Sequence, residues 1–218
     1  MCRWKNKERW KQENNELEMD NMMKKIIILC LSLVFVCCKN ASNKVECLCP
    51  HATICLQPYE DFSKEEIERF LPVLQKKLEE NVYGSWEFKI NDPIVFPKHS
   101  YISSMNRYKG ISLLNDLKSN SNDTVIIGLT HGDICADVHN KKNYGIVGYS
   151  FMHDNVSVVS DKRLKDKRMI WKPVIHEFMH SFFGKPHCPN DDPKCFLKDA
   201  KGKGNFEIQD YLCNSCRM

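Results

Sequence analysis

The sequence predicts an α/β domain with a mostly parallel sheet and one antiparallel hairpin. The first reason is the order of apolar runs and amphipathic segments, which alternate as strand, helix, strand, helix, strand, hairpin and helix. Such alternation is typical of a sheet covered by helices. The second reason is size and composition, since 218 residues with 42% hydrophobic and 28% charged side chains suit one well-packed domain.

The first half of this domain is predicted to contain three strands and two helices. Residues 53–57 form a short apolar run that predicts a buried strand. A capping box and apolar residues at helical spacing predict an amphipathic helix over 63–81. Segment 86–90 alternates as a strand does, a second helix is predicted over 107–118, and 123–129 is apolar enough for a central strand.

The second half is predicted to contain the hairpin and a third helix. Apolar segments 145–152 and 156–160 flank a short Asp/Asn turn, which predicts two antiparallel strands. Pro173 is well placed as the first residue of the next helix, and Gly184 is placed to end it. A tail rich in cysteine follows.

The N-terminal segment predicts export. Residues 1–21 are polar and are interpreted as a non-native extension, whereas 22–38 carry two lysines and then an apolar run. That run is too short to cross a bilayer as a helix but suits an export signal. It resembles a lipoprotein signal with Cys38 as the lipidated residue; a plain cleaved signal or an uncleaved anchor are the alternatives. Residues 39–52 would form a tether, and 53–218 the domain.

These features also predict where the protein acts and what it binds. We expect an exported protein of the cell envelope, anchored as a lipoprotein and facing the periplasm or the cell surface. The net charge of +4 is modest, and no basic stripe is interleaved with aromatic residues. Nucleic acid is therefore not expected as a partner, and membrane contact is expected only through the lipid anchor.

A metal-binding pattern lies on the third predicted helix. His176 and His180 are four residues apart, so both imidazoles point from one helix face and can reach a single ion. Neutral imidazoles suit zinc. Glu177 lies beside the first ligand, where its carboxylate can take a proton from a zinc-bound water. This arrangement predicts hydrolysis, whereas the alternative is a pair of satisfied surface histidines.

A third ligand is predicted after the helix. Gly184 ends the helix within one turn, and His187 follows three residues later, so the chain can reverse and return a third nitrogen to the ion. Asp191 or Glu207 are alternative third ligands that would preserve the same chemistry.

The cysteines of the tail predict a second metal site. Cys188, Cys195, Cys213 and Cys216 form two separated pairs, and four thiolates can close a tetrahedral structural zinc site. Two disulfides are the alternative in an exported protein. Cys135 stands alone and is predicted to be a core residue.

Taken together, these residues resemble the archaemetzincins, a family of zinc metallopeptidases in the metzincin clan. The family pattern is H-E-x-x-H-x-x-G-x-x-H-C, followed by a second cysteine, one further residue and a methionine, and later by a C-x-x-C pair. Segments 129–134 and 158–164 are also similar to the family, and the resemblance spans roughly 53–216. The matching positions are His176, Glu177, His180, Gly184, His187, Cys188, Cys195, Cys213 and Cys216.

The resemblance implies a fold, two metal ions and a substrate. The fold would be a metzincin-like twisted mixed sheet with one antiparallel edge strand, an active-site helix and a zinc-binding tail. The three histidines would bind a catalytic zinc and the four tail cysteines a structural zinc. The edge strand 145–152 would pair with an extended peptide or protein substrate.

The sequence departs from the family pattern at two places. Three residues separate His180 from Gly184, where the family has two, and each extra helical residue turns the chain by about 100°. The methionine of the family corresponds to Leu197, which is of similar volume. These departures motivate an alternative function, a catalytically inactive, zinc-stabilised domain that binds peptides or proteins.

Overall fold

The computed structural model describes residues 50–119, 125–138, 140–190, 192–199 and 206–218. The predicted extension, the export signal with Cys38 and most of the tether lie outside these ranges, as does Asp191. None of the helices in these ranges combines the length and the apolarity that crossing a membrane requires.

The described residues form nine strands, three α-helices and two short 3₁₀ turns. The strands are β1 (His51–Pro58), β2 (Ser85–Ile90), β3 (Tyr101–Ile102), β4 (Arg107–Lys109), β5 (Val125–Thr130), β6 (Ile134–Val138), β7 (Lys141–Ile146), β8 (Gly148–Phe151) and β9 (Val156–Ser160). The helices are α1 (Lys64–Asn81), α2 (Gly110–Ser119) and α3 (Trp171–Ser181). The 3₁₀ turns are Lys98–Ser100 and Lys167–Ile170.

The larger sheet has five strands in the order β2-β1-β5-β9-β8. The first four are parallel and β8 is antiparallel to β9, with Gly148 opposite Val159 and Phe151 opposite Val156. All residues of β5 and β9 are buried, as expected for central parallel strands covered on both faces. The predicted mixed α/β sheet with one antiparallel edge strand is therefore confirmed.

A second sheet of four strands, in the order β3-β4-β6-β7, is absent from the sequence prediction. It corrects two predicted elements. Residues 107–109 form β4 instead of the first helical turn, because Tyr108 pairs with Ile134 and its ring stacks on Phe96 at 4.0 Å. The predicted strand 145–152 is divided at Val147, so that β7 belongs to the second sheet and β8 to the first.

The start of α3 also differs from the prediction. The helix begins at Trp171, two residues before Pro173, and follows directly on the 3₁₀ turn Lys167–Ile170. Proline is tolerated at the third helical position because the first amide groups of a helix have no intrahelical partner.

Two apolar clusters lie on opposite faces of the larger sheet. Ile127 contributes to the cluster beneath α1 and α3, whereas its neighbour Ile126 contributes to the cluster beneath α2. This follows from the alternation of side chains along a strand. The sheet therefore separates α2 from α1 and α3.

The capping box that predicted α1 is present, with Ser63 and Glu66 bonding each other's backbone amide groups. The apolar face of α1 includes Leu74, which is 1% exposed, while Val73 beside it is 42% exposed. We expect Leu74→Ala to lower the free energy of unfolding by about 2–5 kcal/mol through the cavity it leaves. Chemical denaturation measures this, with Val73→Ala as the control that should change stability little. Equal effects of the two substitutions would contradict this packing.

The tail after α3 has no helix in its described part and packs on α1 and α3. Asn81 at the end of α1 accepts a hydrogen bond from the amide of Leu212 at 2.9 Å. The buried ammonium group of Lys172 on α3 donates to the carbonyls of Glu207, at 2.8 Å, and Gln209. The tail is thus fixed beside the helix that carries the predicted metal ligands.

Candidate active site

The first two predicted ligands project from one face of α3, and both are buried. Nδ1 of His176 donates to the carbonyl of Phe196 at 2.6 Å, and Nδ1 of His180 donates to the carbonyl of Lys185. A carbonyl only accepts, so the proton of each neutral ring is on Nδ1 and Nε2 keeps its lone pair. The two Nε2 atoms are 3.0 Å apart.

Both rings are held in the neutral form. Burial lowers the pKa of His176 well below its usual value and lowers the pKa of His180 to about 4. Two lone pairs that face each other at 3.0 Å repel unless a cation lies between them. Fixing the opposite ring nitrogen with a carbonyl is how proteins orient histidine ligands toward a metal. The donor set therefore fits a metal ion, and imidazole nitrogen suits zinc.

His187 completes the group of three histidines. Its ring centroid is 5.3 Å from that of His176 and 4.8 Å from that of His180, and one nitrogen from each ring lies within 4.8 Å of the others. Tetrahedral bonds of 2.0–2.1 Å to a shared zinc ion would place two nitrogen ligands about 3.3 Å apart. The exposed ring of His187 would need to move only slightly toward the other two rings for all three nitrogens to reach one ion. The alternative ligand Glu207 lies in the cleft but outside this group.

The extra residue before Gly184 is absorbed in the turn that ends α3. The amide of Gly184 bonds the carbonyl of His180 at 3.0 Å, and the amide of Lys185 bonds that of Met179 at 3.1 Å. In a Schellman motif, the usual end of a helix at glycine, the two nested bonds span three and five residues. Here they span four and six, so each bond encloses one residue more and the turn is wider. Gly184 keeps the positive φ, +60°, that this position favours. The chain therefore still reverses and brings His187 to the other histidines.

Glu177 lies between α3 and the edge strand β8. The hydroxyl of Ser150 donates to its Oε2, and a side chain at Gly148 would come within 2.2 Å of its Oε1. Burial raises the pKa of Glu177 to about 7, and the hydrogen bond from Ser150 opposes that rise. The carboxylate is thus fixed next to the first histidine ligand, and it titrates near neutral pH.

A cleft of about 670 Å³ opens in front of these groups. Its walls come from β7 and β8, from the segment before α3, and from Phe206 and Glu207 of the tail. β7 and β8 are the outermost strands of their sheets among the described residues, so each has a side without a partner strand there.

The four tail cysteines converge in a second group. Their sulfur atoms lie within 4.8 Å of one another, and those of Cys188 and Cys213 are 3.5 Å apart. A disulfide requires about 2.05 Å, and all four thiols are free. Tetrahedral Zn–S bonds of 2.3 Å separate sulfur atoms by about 3.8 Å, which this group matches. Burial raises the pKa of Cys213, but hydrogen bonds from Cys188 and Cys216 outweigh it and bring the pKa to about 7.

One short segment connects the two groups. Cys195 belongs to the thiol cluster, and the next carbonyl, that of Phe196, orients His176. The carbonyl of Leu197 accepts from the amide of Cys188 at 2.8 Å. Leu197, which stands where the archaemetzincin pattern has methionine, is fully buried in the cluster beneath α3.

Sequence reasoning missed Gly148 and Ser150, although it predicted the strand that carries them. A glycine inside a predicted strand indicates a close approach of another group, and this signal was available for Gly148. Nothing in the sequence distinguishes Ser150 from other serines, because its partner lies 27 residues away.

The sheet with its antiparallel edge strand, the helix with two histidines and the tail with the third give the domain a metzincin-type fold. More specifically, it is an archaemetzincin-like fold, as the comparisons with solved structures show. The archaemetzincin from Archaeoglobus fulgidus, solved with malonate, has a TM-score of 0.61 and 20% identity, covering 75% of this chain and 97% of that one.

Two further solved structures give similar values. The archaemetzincin from Methanopyrus kandleri has a TM-score of 0.60 and 23% identity, covering 76% of this chain and 91% of that one. A zinc-dependent peptidase from Methanocorpusculum labreanum has a TM-score of 0.56 and 19% identity, covering 75% and 97%. No protein-family model and no curated protein matches the sequence.

Proposed function

We propose that this chain is a zinc-dependent metallopeptidase. The observation that carries the proposal is the buried carboxylate of Glu177 beside three converging histidine nitrogens, in a cleft bordered by an edge strand. The archaemetzincin-like fold supports it, because two solved structures of this fold are archaemetzincins and a third is a zinc-dependent peptidase.

His176, His180 and His187 would hold the catalytic ion. When bound, zinc supplies Lewis acidity to the attacking water and to the scissile carbonyl. Glu177 accepts a proton from that water and later gives it to the amine of the leaving peptide. The hydroxyl of Ser150 keeps the carboxylate pointed toward the reacting atoms, and the absence of a side chain at Gly148 leaves it room.

The edge strand β8 would position the substrate. An extended peptide can add to a sheet edge by main-chain hydrogen bonds, which select for backbone shape and leave side chains to pockets. Gly148 and Ser150 lie on β8 and contact Glu177, so a peptide paired with this strand runs past the general base.

We also propose a second zinc at the four tail cysteines. Four sulfur ligands close a tetrahedral site and leave no position for water, which is typical of a structural ion. That ion would fix the segment from Cys195 to Leu197 and, through the carbonyl of Phe196, the orientation of His176.

The test is digestion of a peptide library by the purified chain, together with measurement of its zinc content. We expect cleavage that a chelator abolishes and added zinc restores, and about two zinc ions per chain. A folded, zinc-loaded chain that cuts no peptide would overturn the proposal and favour the inactive binding domain. The wider turn at Gly184 weakens that alternative, because it absorbs the extra residue that motivated it.

Removing the hydroxyl of Ser150 is expected to lower kcat/KM by about 10- to 100-fold, because this factor corresponds to the free energy that a hydrogen bond to a charged group contributes. Ser150→Ala leaves the carboxylate of Glu177 without the donor that orients it, while the zinc content stays unchanged. Ser157 is opposite Ser150 in β9, and its buried hydroxyl has no partner among the described residues. Ser157→Ala is therefore the matched control and should retain activity. Equal kinetics for the two variants would show that Ser150 does not position the base.

A further inference from the structure

The β7 end of the cleft carries an arginine that the proposed reaction does not use. Arg163 lines the cleft, and its guanidinium packs against β7 at Gly145. A side chain at Gly145 would overlap Nη2 and Cζ of Arg163, so the guanidinium occupies the space that glycine leaves open there. The arginine thus lies over the backbone that a substrate peptide would follow.

This arginine belongs to a cluster with excess positive charge. Nε and Nη2 of Arg163 each lie 2.7 Å from a carboxylate oxygen of Asp133, and Nε of Arg107 lies 2.7 Å from the same carboxylate. Two guanidinium groups share one carboxylate, which leaves one positive charge without an acidic partner in the cluster.

The other charged side chains that line the cleft are paired or engaged. Lys165 lies 3.6 Å from Glu207, and Asp166 is paired with Arg168 at 2.8 Å. Glu177 is assigned to the reaction. The excess positive charge of the cluster formed by Arg163, Arg107 and Asp133 is therefore what a bound anion would meet in this part of the cleft, with Arg163 as the member that lines it.

The guanidinium also retains hydrogen-bond donors in a fixed orientation. It has five N–H groups, and among the described residues only the two toward Asp133 have partners, which leaves three. Asp133 is mostly buried and holds the fork in place. A planar fork that is already held loses little freedom when it binds a carboxylate through two parallel hydrogen bonds.

The distance from the reacting groups sets the position of that carboxylate. Gly145 on β7 contacts Arg163, and Gly148 on β8 contacts Glu177. The two strands are interrupted at Val147, so these glycines are at most about 10 Å apart, the length of three residues of fully extended chain. A paired peptide advances by the same length per residue. A carboxylate near Arg163 therefore belongs to a substrate residue no more than about three positions from the scissile bond.

We propose that Arg163 is a specificity-determining residue that binds a carboxylate of the substrate, so that the cleft prefers peptides with an acidic side chain or a free C-terminus at this position. The proposal rests on the proposed function, since it assumes that the cleft holds a peptide along β7 and β8. It extends that function by naming the chemistry of one substrate position.

The test measures binding, so that it does not depend on turnover. The full chain, loaded with zinc and carrying Glu177→Gln, is titrated with fluorescent octapeptides that have amidated C-termini and glutamate at each position in turn. A second set has glutamine at the same positions, and a third set has glutamine with a free C-terminal carboxylate. Fluorescence anisotropy gives Kd for each peptide.

We expect at least one glutamate or free-carboxylate peptide to bind about tenfold more tightly than its neutral counterpart. Arg163→Gln should abolish this preference, and Arg163→Lys, which keeps the charge but not the fork, should retain part of it. Lys165→Gln also removes one positive charge from the cleft and should leave the preference unchanged. The glutamate and free-terminus sets separate the two sources of the carboxylate.

Equal affinities for the acidic and neutral sets, or no binding by any set, would overturn the proposal. So would a preference that persists in Arg163→Gln. If Arg163→Gln does not fold, Arg163→Lys alone must show a reduced preference. The same peptides are also given to the chain with Glu177 intact, so that failure of the Arg163 proposal can be told from failure of the proposed function. Cleavage without an acidic preference rejects only the role of Arg163. Selective binding without cleavage rejects the peptidase function.

Discussion

Glu177→Gln is expected to lower kcat/KM for peptide cleavage by about 10²- to 10⁴-fold, the contribution of a positioned general base. Glutamine has nearly the same shape and can accept the hydrogen bond from Ser150, but it cannot take a proton from water. The three histidines are untouched, so zinc content and Tm should remain close to those of the parent chain. Steady-state kinetics on a peptide found in the library digestion, with metal analysis of the same sample, measures both.

The matched control is Glu79→Gln, the same substitution at an exposed position of α1 outside the cleft. It should retain kcat/KM, zinc content and stability. Full activity of Glu177→Gln would reject this residue as the base, even if the chain is a metallopeptidase. Loss of zinc in Glu177→Gln would instead assign the carboxylate to metal binding.

The elements that depend on local patterns could be predicted from the sequence. The capping box at Ser63 fixes the start of α1, and the turn between β8 and β9 carries its own Asp/Asn signal. The second sheet could not be predicted, because β3 and β4 have two and three residues and are too short to show a period. The pairing of β4 with β3 and with β6 makes residues 107–109 a strand, and these tertiary contacts override helical patterning.

The same distinction applies to the site. His176 and His180 lie four residues apart on one helix, so their common face follows from helical geometry, and Glu177 is the next residue after the first histidine. The groups that orient them come from distant parts of the chain. The bond from Ser150 to Glu177 spans 27 residues, and that from His176 to Phe196 spans 20. Such contacts require the fold to be known.

Those long-range contacts make the tail part of the candidate active site. Phe196 orients a histidine, and Phe206 and Glu207 form one wall of the cleft. Lys172 is buried, and burial lowers its pKa, yet it holds the tail carbonyls next to that wall. Whatever fixes the tail therefore affects the geometry of the proposed zinc ligands, and the four cysteines are the group best placed to do so.

Cys195→Ser is accordingly expected to lower the zinc content from about two ions per chain to one and to reduce the free energy of unfolding by more than about 4 kcal/mol, as loss of a structural metal can. Cys195 is fully buried, so a serine hydroxyl there leaves three thiols and a polar group without the tetrahedral ligand set. The remaining zinc should bind about 10- to 100-fold more weakly, because the carbonyl of Phe196 no longer fixes His176.

Cys135→Ser is the control, since Cys135 is 1% exposed but lies outside the cluster, where its thiol donates to the carbonyl of Tyr108. It should keep both zinc ions, so that burial of a cysteine alone does not explain the effect of Cys195→Ser. Metal analysis with chelator competition measures the zinc content and the affinity for the remaining zinc, and thermal unfolding measures the loss of stability. Retention of two zinc ions in Cys195→Ser would contradict the structural zinc. So would two disulfides among the tail cysteines, detected by mass spectrometry of the unreduced chain, because disulfides would then fix the tail instead.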